Sequence, residues 1–175
     1  AALAGGEPPW IAPPADPALG RRVAGTRTDA RIHLPDPAWG TPGERAAWGI
    51  RGSDGDWDQV AAQYDGWIHV PVDGTDLATR SDDGSRMWLD LDGDGRIGAG
   101  EWGGNGWGAG QGATARIVHA AVLAGCYRFR LQGEEGHGGN CLSLLWSDAA
   151  RSDGELDGLH VVPPSAFARP AHLVI

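Results

Sequence analysis

Residues 90–101 carry acidic side chains at the spacing of a calcium-binding loop. Asp90, Asp92 and Asp94 take the first, third and fifth positions, and Glu101 takes the last, where such loops place a bidentate carboxylate. Because clustered carboxylates repel one another without a cation between them, the pattern predicts a Ca²⁺ site. The alternative interpretation is a solvated acidic turn rich in Asp-Gly pairs.

The other positions of the loop fit the same pattern, but its flanks do not. Gly95 stands where the chain must turn sharply, Arg96 would contribute its backbone carbonyl, and Ile97 would be the buried apolar anchor. The preceding run, residues 85–89, is typical of a strand, and the six glycines between 103 and 112 cannot hold a helix. We therefore expect a calcium loop that joins two strands of a β-hairpin, not an EF-hand between helices.

Composition narrows the classes of function. The 175 residues carry a net charge of −9, and 41% of them are hydrophobic, which is enough for one domain with a core. An acidic chain lacks the positive surface that nucleic acids and anionic membranes require, so we expect neither as a partner. Common nucleophile, zinc-protease and phosphate-loop signatures are also missing, and we expect no enzyme activity.

Two features bear on where the protein works. No apolar run approaches the roughly 20 residues that span a bilayer, so we expect no membrane insertion. The chain begins without Met or a secretion signal, as a mature or excised segment would. Since calcium modules of this kind suit calcium-rich surroundings, we expect an extracellular or cell-surface location.

Short apolar runs alternate with turn residues along most of the chain, which is typical of an antiparallel all-β domain. We predict a β-sandwich or barrel with long glycine-rich loops over residues 21–168, preceded by a proline-rich leader at 1–20 and followed by a tail at 169–175. The predicted strands are 28–34, 58–64, 66–72, 75–80, 85–90, 115–124, 126–132, 141–146 and 158–162.

The two cysteines, Cys126 and Cys141, are predicted not to form a disulfide. If residues 126–132 and 140–146 formed one hairpin, Cys126 would lie opposite the neighbourhood of Trp146, several residues from Cys141. Bridged cysteines need Cα atoms within about 7 Å. We therefore expect two buried thiols that behave as small hydrophobic side chains.

A series of motifs follows one recognisable order along the chain. Its segments are Asp65-Gly66-Trp67-Ile68, Gly74-Thr75, residues 81–90, Ala124-Gly125-Cys126-Tyr127, Leu142-Ser143-Leu144-Leu145-Trp146 and residues 161–167. This order resembles the PA-fourteen domain, a family named after the N-terminal domain of a bacterial toxin's protective antigen, over roughly residues 25–168. The resemblance implies a β-sandwich or barrel and, in many members, calcium-dependent glycan binding.

The resemblance assigns a second calcium and glycan site to the block at residues 81–85. In the sugar-binding members, two adjacent aspartates joined by a cis peptide hold a calcium ion that also takes sugar hydroxyls as ligands, and Asp82 and Asp83 match them. Vicinal hydroxyls suit the oxygen shell of a hard cation. The alternative is a plain turn in which the Asp83 side chain caps local amides.

The remaining ligands depart from the pattern of the adhesins in this family. Adhesins supply an asparagine near the position of Glu134 and Glu135, and Asn140 lies a few residues later. A carboxylate can replace the amide as a calcium ligand, with a change of charge. Beside the acidic loop, Trp102 and Trp107 either stack on a sugar ring or fold back over the sheet.

These observations predict a calcium-dependent, lectin-like module with a glycan or polysaccharide as its partner. The alternative is a non-catalytic structural or assembly module of a surface layer or fibre, in which calcium only stabilises the fold. The proline-rich leader and the apolar residues 171–175 favour this alternative, because both suit contacts with neighbouring domains or with a second copy of the chain.

Overall fold

The computed structural model describes residues 25–35, 47, 59–98, 100–147, 156–168 and 171–174, and the predicted leader at 1–20 lies outside them. The described chain forms a series of short and medium strands and a 3-10 turn at Pro164–Ala166. The strands are β1 Thr26–Asp29, β2 His33–Leu34, β3 Val60–Val70, β4 Thr75–Asp82, β5 Ser85–Leu89, β6 Trp102–Asn105, β7 Thr114–Val122, β8 Gly125–Glu135, β9 Cys141–Ser147, β10 Leu159–Val161 and β11 Ala171–Val174.

The strands form two antiparallel sheets, so the predicted all-β sandwich is confirmed. One sheet has six strands in the order β1-β11-β3-β8-β5-β6. The other has the order β10-β9-β4-β7, with β2 pairing β9 as a fifth strand. Within the part of the chain that the structure describes, no helix has both the length and the apolar character needed to cross a bilayer.

The core lies between the two sheets. Along β8, Phe129 and Leu131 face inward with no exposed surface, while Arg128 and Glu134 belong to the opposite face. Leu144 of β9 meets them from the other sheet in one continuous hydrophobic cluster. Burying each such side chain contributes about 1.5–3 kcal/mol, so the period-two pattern of the strands is what holds the sheets together.

Two predicted strand boundaries were wrong. The runs 58–64 and 66–72 form one strand, β3, because Gly66 stays in the ladder opposite Phe129. The run 28–34 instead divides into β1 and β2, which belong to different sheets. The bend at Ala30 and Arg31 carries the chain from one sheet to the other.

Two strands were not predicted. Strand β6 pairs with β5 although two of its four residues are glycines, which strand propensity disfavours. Strand β11 pairs with β1 and β3, so residues 171–174 lie inside the six-stranded sheet rather than in a tail that follows the sandwich. The apolar end of the described chain therefore contacts its own domain.

The hairpin assumed for the cysteines does not form. Strand β8 pairs with β3 and β5, whereas β9 pairs with β4, β10 and β2 in the other sheet. As expected, neither Cys126 nor Cys141 forms a disulfide. Cys141 is buried as predicted, but Cys126 is exposed.

A polar contact fixes the edge of the six-stranded sheet. The buried Tyr64 hydroxyl donates to Asp29 Oδ2 at 2.6 Å, and Arg27 Nε lies 3.0 Å from Asp29 Oδ1. Burial, reinforced by the Asp29 carboxylate, raises the pKa of Tyr64 well above its ordinary value. Strand β1 is thereby tied to β3 across β11.

The edges of the sheets are short or irregular. Strands β1 and β6, at the two edges of one sheet, have four residues each, and β10 has three. The longer edge strand β7 has nine residues, but its pairing with β4 shifts register on both sides of Leu77. Ala121 of β7 also has a positive φ of 51°.

Candidate metal and ligand sites

The acidic loop 90–101 is the turn of the β5–β6 hairpin. The amide of Leu89 donates to the carbonyl oxygen of Glu101 at 3.0 Å, which closes the hairpin at the base of the loop. Gly95 has a positive φ of 82°, a conformation that favours glycine, and Ile97 is buried with 1% of its surface exposed. The turn residue and the apolar residue thus occupy the positions that a calcium loop requires.

Three carboxylates of this loop lie close enough to share one ion. Asp90, Asp92 and Asp94 each offer an oxygen, and these oxygens lie within 4.8 Å of one another. Asp90 is only 3% exposed, and its Oδ2 accepts the Gly95 amide at 3.0 Å. Its buried Oδ1 accepts no hydrogen bond from the described residues. Because a buried charged oxygen is costly without a partner, this donor set fits a hard cation.

The other two predicted ligands are engaged with the loop backbone. Glu101 Oε1 accepts the amide of Leu91 at 2.6 Å, and Oε2 accepts the amide of Gly98 at 2.6 Å. Arg96 is exposed and donates its amide to Asp94 Oδ1 at 2.7 Å. The structure therefore brings together the three aspartates, with Glu101 bonded across the loop beside them.

The block predicted as the second site forms the turn between β4 and β5. The peptide bond between Asp82 and Asp83 is cis, as the resemblance implied. Asp83 Oδ1 accepts the amide of Gln111 at 3.0 Å, and Oδ2 accepts the amide of Gly136 at 2.8 Å. These donors lie 28 and 53 residues away in the sequence. Asp83 thus binds amides of two remote loops, whereas a plain turn would cap local ones.

The residues predicted near this turn have different surroundings. Glu134 Oε1 accepts the amide of Gly108, so it holds the glycine-rich loop. Glu135 is 3% exposed and Asn140 has no exposed surface, so both are buried. Within the described ranges, the aspartates of the acidic loop are the group of three or more acids whose ligand atoms cluster.

The two tryptophans proposed for sugar stacking lie apart. Trp102 is 55% exposed and pairs with Trp88 at the start of β6. Trp107 lies against Arg86, whose guanidinium carbon is 3.8 Å from the ring centroid. Burial lowers the pKa of Arg86, and the charge of Glu134 opposes that shift. One face of Trp107 is therefore occupied by a cation within the protein, in a cation–π contact.

The sandwich has two chemically different ends. The acidic-loop end comprises turns 71–74, 90–101 and 123–124, and the Asp83 end comprises turns 82–84, 106–112 and 136–140. The exposed large hydrophobic side chains of the described chain all lie toward the acidic-loop end; they are Trp67, Val72, Leu91, Trp102, Leu123 and Leu156. The Asp83 end presents polar groups and glycines instead.

Two residues at the Asp83 end had not been predicted from the sequence. Gln111 bonds to Asp83 and to Asn105, and Asn105 is completely buried. The Asn105-Gly106 pair is a turn signal from which a bend at this point could have been predicted. No pattern in the sequence indicated that the bend would lie against Asp83.

The described residues define an antiparallel β-sandwich with an acidic loop at one end and converging polar loops at the other. No protein-family model matches the chain, and neither does any curated protein. Among solved structures, it is similar to the PA14 domain of the MpAFP antifreeze protein, with a TM-score of 0.42 and 9% identity over 64% of this chain and 54% of that one. The chain thus spans about half the length of that structure.

A second solved structure is also similar to this chain. It is a PA14 sugar-binding domain from an RTX adhesin, with a TM-score of 0.48 and 13% identity, covering 83% of this chain and 77% of the other. Both structures carry the name PA14, the PA-fourteen family that the motifs of this sequence resemble.

Proposed function

We propose that the chain is a carbohydrate-binding module that carries calcium and works outside the cell or at its surface. The observation that carries this proposal is the convergence of turns 82–84, 106–112 and 136–140 at the carboxylate of Asp83. Loops held by a rigid sheet scaffold are where binding sites concentrate. The ligand class follows from the resemblance of residues 81–85 to the sugar-binding members of the PA-fourteen family.

Calcium in the acidic loop has a structural role in this proposal. Asp90, Asp92 and Asp94 would hold the ion. The Glu101 carboxylate would join them by giving up its hydrogen bonds to the loop amides. The loop lies at the opposite end of the β5–β6 hairpin from Asp83, so this ion would not touch the sugar. This ion would stabilise the β5–β6 hairpin, which connects the acidic-loop end to the Asp83 end.

The glycan would be bound at the Asp83 end. Calcium bound there would supply coordination positions for vicinal sugar hydroxyls. Each oxygen of the Asp83 carboxylate accepts one amide, so each keeps a lone pair for a cation. Asn140 precedes Cys141, which pairs with Asp82, and Glu135 follows Glu134, whose carbonyl accepts the Asp83 amide at 3.1 Å. Asp82, Glu135 and Asn140 are the further proposed oxygen ligands.

Glu134 has a different proposed role from the asparagine of the adhesins. Its carboxylate accepts the Gly108 amide and lies near Arg86, so reaching an ion at Asp83 would cost both interactions. Glu134 would therefore hold loop 106–112 beside the sugar site rather than ligate calcium.

The test of the carbohydrate function is a glycan array with the calcium-saturated protein. We expect binding that disappears in chelator and weakens at least tenfold in Asp83→Ala, because both loops lose their shared acceptor. Asp73→Ala is the matched control, since Asp73 also accepts a loop amide, that of Ala124, but at the acidic-loop end. Failure of the wild-type protein to bind any glycan at saturating calcium would overturn the proposal.

A second function is favoured by the distribution of the exposed hydrophobic side chains. A patch of such residues confined to one end of a domain marks an interaction surface more often than scattered ones do. An assembly module would use the acidic-loop end, with calcium reducing the repulsion between acidic surfaces. Sedimentation velocity should then show calcium-dependent oligomers that Leu123→Ser weakens. Monomers at every calcium concentration would remove this alternative.

A further inference from the structure

Gln111 contacts Asp83 through both its backbone and its side chain. Its backbone amide donates to Asp83 Oδ1 at 3.0 Å, and its side-chain Nε2 donates to the Asp83 carbonyl oxygen, also at 3.0 Å. One residue thus fixes both the carboxylate and the backbone of Asp83. The side chain also packs closely on Gly106, which has a positive φ of 67°, so a Cβ at that position would overlap the Gln111 amide.

Gln111 is itself held by a buried anchor. Its Nε2 lies 3.2 Å from Asn105 Oδ1, and Asn105 has no exposed surface. The Asn105 Nδ2 group donates to the carbonyl oxygens of Thr79 at 3.1 Å and Thr114 at 2.8 Å. Since these acceptors belong to β4 and to the start of β7, the anchor is part of the sandwich itself. Asp83 is thereby connected to the sheet through two amide side chains.

We propose that Gln111 is a positioning residue for Asp83, which sets the direction of the carboxylate toward calcium and its sugar ligand. The inference rests on the carbohydrate function proposed above. With Oδ1 fixed by Gln111 and Oδ2 by Gly136, the carboxylate cannot rotate, and its unused lone pairs keep one direction. Hydrogen-bond partners that orient ligand side chains typically contribute 10–100-fold to metal affinity.

The chemistry of the side chain is specific to an amide at position 111. All three groups that Nε2 contacts are acceptors, so the residue must donate to them; they are the Asp83 carbonyl, the Asn105 carbonyl and Asn105 Oδ1. A glutamate of the same shape has no donor there when ionised. Gln111→Glu therefore removes these side-chain bonds without opening space, and Gln111→Ala removes them by truncation. Both variants keep the backbone amide that bonds to Asp83 Oδ1 but release it from its side-chain anchor.

The test uses calcium alone as the probe. Asp92→Asn/Asp94→Asn serves as the background, so that calorimetry reports the ion at the Asp83 end only. In this background we expect Gln111→Glu and Gln111→Ala to weaken calcium binding by about 10–100-fold. Gln59→Ala is the matched control, because Gln59 is an exposed amide at the same end that contacts His137. It should leave the affinity within twofold.

Two further measurements separate positioning from general stability. The melting temperature without calcium should change little in Gln111→Glu, and terbium luminescence from the acidic loop, with that loop intact, should be the same as in the wild type. Calcium affinity at the Asp83 end that is unchanged in both Gln111 variants would overturn the positioning role while leaving the carbohydrate function standing. A background protein that binds no calcium at the Asp83 end would overturn both.

Discussion

Removing calcium is expected to lower the melting temperature of this protein by about 5–10 °C. An ion that binds only the folded state stabilises it by about 2.7 kcal/mol at a concentration 100 times its Kd. For a domain of this size, each kcal/mol corresponds to about 2–4 °C. The physical source is the acidic loop, where Asp90, Asp92 and Asp94 hold oxygens within 4.8 Å of one another and the buried Asp90 Oδ1 accepts no hydrogen bond from the described chain.

Calorimetric melts in calcium and in chelator measure this effect. The variant Asp92→Asn/Asp94→Asn keeps the shape of the loop but removes two charges, so its melt should respond much less to calcium. Asp73→Asn, an acidic turn residue at the same end, should respond as the wild type does. A wild-type melt that is identical in chelator, together with no bound metal by mass spectrometry, would falsify the assignment of the loop.

Gly103→Ala is expected to destabilise the fold by about 3 kcal/mol, the upper end of the usual range for an overpacked position. Strand β6 passes directly over β7 at Gly103, where a Cβ would overlap the carbonyl oxygen of Val118. It would also lie 2.6 Å from the Val118 carbonyl carbon and 2.9 Å from its Cα. All three are backbone atoms, which cannot rotate away as a side chain can, so the two strands must separate.

Urea unfolding of Gly103→Ala and of the control Gly112→Ala measures this difference. A Cβ at Gly112 meets nothing within 4 Å, and its φ is not in the left-handed region. Its substitution should leave stability the same or raise it by about 0.4–1 kcal/mol, because alanine has less freedom in the unfolded chain. Equal urea midpoints for Gly103→Ala and the wild type would show that β6 and β7 do not approach so closely.

The fold class followed from the sequence because period-two alternation is a local property. The pairing of the strands was harder to predict from the sequence. The predicted strands 58–64 and 66–72 leave a break at Asp65, yet the ladder of β3 continues through Asp65 and Gly66. Arg130 Nε, on the neighbouring strand β8, donates to Asp65 Oδ1 at 2.7 Å. The proximity of β8 and β9 in the sequence favoured a hairpin, but each strand completes a different sheet. Which strands pair with one another depends on packing between segments that are distant in the sequence.

The same distinction applies to the two sites. The acidic loop was predictable because its ligands lie within one short segment and their spacing alone brings Asp90, Asp92 and Asp94 together. The surroundings of Asp83 were not, because its partners Gln111 and Gly136 come from loops that only the folded sandwich places beside it. The resemblance supplied Asp82 and Asp83, but the contact of Glu134 with Gly108 required the structure.

The lengths of the edge strands have a consequence for how the protein behaves in concentrated solution. An exposed edge is a template for pairing with another chain, and long, flat edges lead to aggregation. Strands β1, β6 and β10 offer three or four residues each, too few for a stable intermolecular ladder. Strand β7 is long enough, but its register with β4 shifts at two points and Ala121 has a positive φ, and such irregularities disfavour a continuous ladder with a partner strand. The geometry of these described edges therefore disfavours amyloid-like growth.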